Sequence, residues 1–226
     1  KNGPAERRHF LDSELCQLDK VYLYQLSNYN KVVLQRNKLL KELYLHPDYR
    51  EVLDVLDMQL VQYGSALIQR RQTFAEELGE IVHRIHSQLS GGQEEMELKY
   101  EPNVTVDAFA QMLFSNRERD MRLKTTATGP HRDDISFVVN GVDIRKFGSQ
   151  GQQRTAALSL KLSEIELVKR LIGDTPVLLL DDVLSELDSG RQNYLLNSIE
   201  NIQTLITCTG LDEFVNHRFS INRIYK

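Results

Sequence analysis

No Gly-Lys dipeptide occurs in the 226 residues, so the chain cannot form a G-x-x-x-x-G-K-[ST] loop, the usual cradle for nucleotide phosphates. Cysteine is scarce as well. Cys16 and Cys208 lie far apart without metal-ligand spacing, which leaves out a cysteine-held metal and suits a reducing cytoplasm. Unbroken apolar runs such as Val177–Leu180 fall far short of a bilayer span, so no membrane role is expected. There is no signal-peptide pattern. An excess of positive charge is also missing: at a formal net charge of −4 the composition does not advertise nucleic acid. Any DNA contact must come from local patches or from a part of the protein outside this chain. What is present, 41% apolar and 27% charged residues, is the composition of a globular protein. The length suits one ordinary core, or a core with a helical appendage.

The chain is organised around Phe147–Asp188. Phe147-Gly148-Ser149-Gln150-Gly151-Gln152-Gln153-Arg154-Thr155 sits between a segment read as strands and a helix read over Thr155–Leu171. A Gly-Ser-Gln-Gly run that opens a helix forms a small cup of backbone N–H groups with a hydroxyl on its rim. The helix N-terminus adds about half a positive charge, so the cup suits a phosphate. After Thr175-Pro176 comes Val177-Leu178-Leu179-Leu180-Asp181-Asp182. The apolar run reads as a buried parallel strand with two carboxylates at its C-terminal edge, where open α/β sheets bind ligands. Such a pair suits Mg²⁺ with nucleotide phosphates. Plain helix capping by Ser149 and by the Asp-Asp pair is the alternative reading.

Apolar residues recur at helical spacing from Ala5 to Leu45, and again from Leu53 to Leu89. His46-Pro47-Asp48 interrupts them, which predicts a long antiparallel hairpin or two helices of a bundle. Leu89-Ser90-Gly91-Gly92-Gln93 imitates an ATPase signature but ends a helix, so a C-cap and turn are expected there. Glu94–Tyr100 reads as a strand. Val106–Arg122 reads as a helix ending in Arg117, Arg119 and Arg122, with Lys124 beyond. That basic end serves either the helix dipole or DNA phosphates. Thr125–Gly129, Ile135–Val139 and Val142–Arg145 read as strands, the last two joined by an Asn140-Gly141 hairpin. Beyond Asp188 a helix to about Ile202, a strand at Thr204–Thr207, a short helix at Asp212–Asn216 and a strand at Phe219–Tyr225 are expected. His83 and His86 stand at i, i+3 without further ligands, so a metal there is not expected. His131 reads as structural rather than catalytic.

Phe147–Thr155, Leu178–Asp182 and Ser185-Glu186-Leu187-Asp188 resemble the signature, Walker B and D-loop motifs of ATP-binding-cassette ATPases of the RecF/SMC class. Gly129-Pro130-His131-Arg132-Asp133-Asp134 and Arg7-Arg8-His9-Phe10-Leu11-Asp12 narrow the resemblance to the RecF family. The resemblance implies an α/β (α+β) fold: an incomplete ATPase head with a long antiparallel helical arm (residues 1–92). The remainder (93–226) would be a partial parallel sheet carrying Walker B, with a P-loop lobe preceding Lys1. It implies ATP and Mg²⁺ as cofactors. Gly148, Ser149, Gln150, Gly151 and Gln152 would face nucleotide held by a second subunit. Asp181 would hold the metal and Asp182 would polarise the attacking water. Ser185 and Asp188 would lie at the dimer seam, and Thr209 would occupy the place of the usual switch histidine. The implied whole is a recombination mediator of the SOS response: an ATP-dependent, DNA-binding homodimer acting at single-strand gaps. It would hydrolyse ATP slowly as a weak DNA-dependent ATPase, partner RecR and load RecA. By itself this chain would be catalytically silent. The competing readings are another SMC- or SbcC-type head and a non-catalytic helical interaction module.

Overall fold

A computed structural model of the chain describes residues 3–42, 50–184 and 187–207. The expected turn at His46-Pro47-Asp48, Ser185, Cys208, Thr209 and the two final elements lie outside the described residues. The chain divides into two compact units, Lys1–Ser163 and Glu164–Lys226. Among the described residues no helix is long and apolar enough to cross a membrane.

The first unit is built on three helices: α1 (Pro4–Leu18), α2 (Lys20–Glu42) and α3 (Arg50–Leu89). One helix was expected over Ala5–Leu45, and the structure breaks it at Asp19. There the Asp19 carboxylate accepts from the N–H groups of Val21 and Tyr22, at 2.8 and 3.1 Å, and starts a new helix. Asp19 meets Arg70, Tyr22 meets Arg71 and Arg36 meets Asp57, so α2 and α3 run antiparallel. The 40 residues of α3 span about 60 Å. Its stripe of Leu53, Leu60, Leu67, Phe74, Leu78, Ile81 and Ile85 is buried, each side chain contributing about 1.5–3 kcal/mol.

Strand β1 (Met96–Glu101) packs on α3 and pairs antiparallel with β2 (Asp134–Val139), from Met96 opposite Val139 to Glu101 opposite Asp134. Strand β3 is only Val142–Asp143. Asp143 then accepts from the Arg145 N–H and caps the short helix α6 (Ile144–Phe147), which ends the expected strand early. The expected helix over Val106–Arg122 is two, α4 (Val106–Ser115) and α5 (Arg117–Leu123), parted at Asn116.

The stretch expected as a strand at Thr125–Gly129 is a loop. Side chains rather than a neighbouring strand take its backbone donors: Thr126 N–H goes to Asn37, Ala127 N–H to Asp120 and Gly129 N–H to Asn103. Gly129 has φ 135°, and a Cβ there would fall 2.3 Å from the Tyr29 hydroxyl oxygen, so only glycine fits.

Helix α7 (Gln150–Ile172) crosses from the first unit into the second and starts five residues earlier than expected. In the second unit β4 (Leu178–Asp181) and β5 (Thr204–Thr207) pair in parallel, Leu178 opposite Thr204 and Asp181 opposite Thr207. Between them α8 (Ser189–Ser198) is shorter than the expected helix to Ile202, and it buries Leu195 and Leu196. Strand β4 was expected to be buried on both faces. Leu180 is buried, but Leu179 is 71% exposed and Leu205 beside it 56% exposed, so one face of this two-stranded sheet is bare.

Candidate nucleotide site

The Gly148–Gln152 loop ends in a reciprocal cap. The Gln152 N–H donates to Ser149 Oγ at 3.2 Å, and the Ser149 N–H donates to Gln152 Oε1 at 3.1 Å. Capping and anion binding are compatible at this serine. Its oxygen accepts with a lone pair, and its O–H stays available to donate outward. The first intrahelical bond here is Gln153 N–H to Ser149 C=O, so the N–H groups of Gln150 and Gly151 precede the helical ladder. Ser149, Gln150 and Gly151 are exposed and Gln152 is half-buried. Gly148 is required locally, because a Cβ there would sit 2.7 Å from the Ile144 carbonyl oxygen. Gln153 fixes the loop from behind by donating to the Ile144 and Gly148 carbonyls.

The Ser90–Gln93 stretch is a helix stop, as its context implied. Gly91 and Gly92 have φ 65° and 79°, and the Gly92 N–H closes on the Ser87 carbonyl at 2.7 Å. What the sequence did not show is that this corner touches the Gly148–Gln152 loop. Gln152 Nε2 donates to Glu94 Oε1 at 3.0 Å, and Glu94 Oε2 lies 3.2 Å from His86 Nε2. His86 is fully buried, with Nδ1 2.9 Å from Ser159 Oγ on α7.

In the second unit Asp181 is exposed at the C-terminal end of β4, and Asp182 follows in a left-handed conformation, φ 49°. Thr207 holds both. Its hydroxyl donates to Asp181 Oδ1 at 2.5 Å, and the Asp182 N–H donates to the Thr207 carbonyl and Oγ1, each at 3.1 Å. Sequence reasoning passed over Thr207; its place opposite Asp181 follows only from the parallel register. One carboxylate plus nucleotide phosphates is a donor set that fits Mg²⁺. Among the described residues no cluster of three or more His, Cys, Asp or Glu could hold a metal unaided. Asp188 caps α8 by accepting from the Arg191 N–H at 3.0 Å. That bond and the Arg191 guanidinium hold its carboxyl below the usual range.

The Gly129–Asp134 motif is anchored to the helices of the first unit. His131 Nε2 donates to the Thr126 carbonyl at 2.9 Å and Nδ1 accepts from the Tyr29 hydroxyl at 2.7 Å, so the ring is neutral and structural. Burial pushes its pKa down to about 4. Arg132 reaches the same Thr126 carbonyl at 3.4 Å. Asp133, fully buried, accepts from Arg71, Tyr100 and the Asn103 N–H. Asp134 pairs with Arg7 at 2.7 Å, which joins the two motifs that narrowed the resemblance. Of the basic set, Arg117 is spent on Asp54 and Asp57, while Arg119, Arg122 and Lys124 are exposed.

No protein-family profile matches the chain. It is 61% identical over its full length to the DNA replication and repair protein RecF of Agathobacter rectalis, and 42% identical to that of Clostridium perfringens. It spans 62% and 63% of the length of these relatives. A solved structure described as the recombination mediator protein RecF-ATP in the RecFOR pathway superposes with a TM-score of 0.86 at 36% identity. That match covers 94% of this chain and 59% of the solved one. The α+β fold is thus that of the solved protein, and the chain belongs to the RecF family, about three fifths of whose length it spans.

Proposed function

We propose that the intact protein is an ATP-dependent recombination mediator that closes as a homodimer on two ATP molecules. Each ATP would be held by a P-loop lobe of one copy and touched by the Gly148–Gln152 loop of the other. The observation that carries this reading is the exposed cap at Ser149: a free hydroxyl beside the Gln150 and Gly151 amides, at the start of a long helix, in a chain similar throughout to a RecF solved with ATP.

In this reading Ser149 donates its O–H to the γ-phosphate, and the Gln150 and Gly151 N–H groups add donors. Asp181, whose Oδ1 already accepts from Thr207, would be the residue that holds Mg²⁺. Mg²⁺, when bound, neutralises charge on the phosphoryl oxygens. Asp182, its backbone locked by Thr207, accepts a proton from the attacking water. Being one methylene shorter than Glu, it suits slow turnover. The exposed face at Leu179 and Leu205 is one that a further layer of the intact protein would cover. Duplex and gapped DNA, RecR, RecA loading, a place in the SOS response and a cytoplasmic location follow from the family likeness. Without a Gly-Lys loop this chain alone does not turn over ATP.

The test is the mass of the intact protein in solution, with and without Mg²⁺-ATP, for the wild type and Ser149→Arg. Dimerisation that needs ATP and is lost in the variant supports the reading. Dimerisation indifferent to both would replace it with a helical interaction module.

A further inference from the structure

The Glu94 carboxylate connects two places that the sequence kept apart. Its Oε1 takes the Gln152 amide N–H at 3.0 Å, and its Oε2 lies against the buried His86 ring at 3.2 Å. The Gln152 amide can serve Ser149 in only one orientation, with Oε1 accepting from the Ser149 N–H and Nε2 turned away. An acceptor on the far side reinforces that orientation, and Glu94 is that acceptor. Glu94 is itself placed by the Ser90 hydroxyl, which accepts its N–H at 3.1 Å. His86 lies on the last turn of α3 and also meets Ser159 of α7 at 2.9 Å. A Ser-His-Glu set would suggest hydrolytic chemistry, but Ser159 is fully buried and bonds the Thr155 carbonyl at 2.8 Å, so no substrate reaches it.

We propose that Glu94, braced by His86, is a positioning residue for the signature serine. It acts through the Gln152 amide and ties the foot of the long helix α3 to the loop that faces nucleotide. The ligand is the one named above, so the inference rests on that reading. The series Ser149, Gln152, Glu94, His86 is continuous in hydrogen bonds, and no other described contact orients the Gln152 side chain. A cation at position 94 would attract Gln152 Oε1, flip the amide and set an N–H against the Ser149 N–H.

The experiment uses the full-length protein and measures the ATP concentration that gives half-maximal dimerisation. ATP affinity is measured separately, on dilute monomer with a fluorescent ATP analogue. Glu94→Lys and Gln152→Glu are each expected to raise the dimerisation midpoint about fivefold or more, the size of a direct contact coupling, with monomer affinity unchanged. Glu94→Gln is expected to stay near wild type, since its carbonyl still accepts from Gln152. The decisive variant is the double exchange Glu94→Gln with Gln152→Glu. It restores one donor and one acceptor across the contact and should bring the midpoint back, an outcome that general loss of stability would not give. Wild-type midpoints in both Glu94→Lys and Gln152→Glu, or a double variant no better than Gln152→Glu alone, overturn the inference. Ser149→Arg in the same series separates the two levels. If it abolishes dimerisation while Glu94→Lys does nothing, the relay fails and the ATP reading stands; if it too is silent, both fall.

Discussion

Arg71→Met isolates one of the buried charge clusters of the first unit. Arg71 is 2% exposed on α3 and donates to Asp133 at 2.8 Å, Asp12 at 2.8 Å, the Pro130 carbonyl at 2.7 Å and the Tyr22 hydroxyl at 2.9 Å. Methionine keeps much of the stem and removes the charge. Asp133, fully buried, would keep the Asn103 N–H and the Tyr100 hydroxyl but lose its counter-ion. Removing one partner of such a pair costs about 3–5 kcal/mol at neutral pH, a large share of the roughly 5–15 kcal/mol that holds a domain together. The sign with pH follows from Asp133. Burial already raises its folded pKa, and without Arg71 it rises further. A carboxyl whose folded pKa exceeds its unfolded one weakens the fold only while ionised. The penalty relative to wild type should therefore shrink as pH falls through the variant's folded pKa, by about 1.4 kcal/mol per unit. Urea unfolding of the intact protein, followed by circular dichroism at pH 7 and pH 4.5, measures both quantities. A loss below about 1 kcal/mol at pH 7 would refute the argument, and so would an equal loss at both pH values, since that marks packing rather than charge.

His131, neutral with a pKa near 4 in the fold, gives stability that is complete above the unfolded value of about 6.5 and drains as pH falls from there toward 4. His131→Gln should flatten that part of the stability–pH curve; an unchanged slope would assign the titration elsewhere. Gly129→Ala forces a methyl group to within 2.3 Å of the Tyr29 hydroxyl oxygen at φ 135° and should cost roughly 2–4 kcal/mol in thermal or urea unfolding. If the exposed end of α5 meets DNA phosphates, Arg119→Glu with Arg122→Glu will weaken DNA binding alike for all sequences. It will also lower the log K against log salt slope by about 2, for two lost phosphate contacts. An unaltered salt slope would leave that helix end to its dipole and to solvent.

Much of this was legible, and what was not has a physical reason. The period of α3 was readable because a buried stripe repeats over forty residues. The break at Asp19 was not, because the apolar phase carries across it and one side-chain cap decides the matter. Thr125–Gly129 looks like a strand by residue type, yet its donors are claimed by Asn37, Asp120 and Asn103, from 7 to 89 positions away. Long-range choices of that kind leave no mark on local pattern. The same holds for Arg36 and Arg71, which no local pattern singles out and which the fold buries against carboxylates. The Ser149 cap and the acidic strand end stood out as local patterns, since glycine, serine and aspartate there serve backbone geometry and charge. Thr207, Glu94 and His86 were hidden because each gains meaning only from the partner the fold sets beside it.

The central claim is that Ser149 serves a nucleotide held by another copy, and mixing tests it most directly. Intact protein carrying Ser149→Arg is combined with intact protein whose P-loop lysine is replaced, and Mg²⁺-dependent ATPase activity is followed against the mixing ratio. Each variant alone has two broken sites. If Ser149 acts across the dimer, the mixed dimer holds one site with both a sound P-loop and a sound signature, so activity appears on mixing and peaks near equal proportions. If the serine serves nucleotide within its own copy, every site keeps one defect. A mixture as inactive as its parts, with mixed dimers shown to form, would contradict the account.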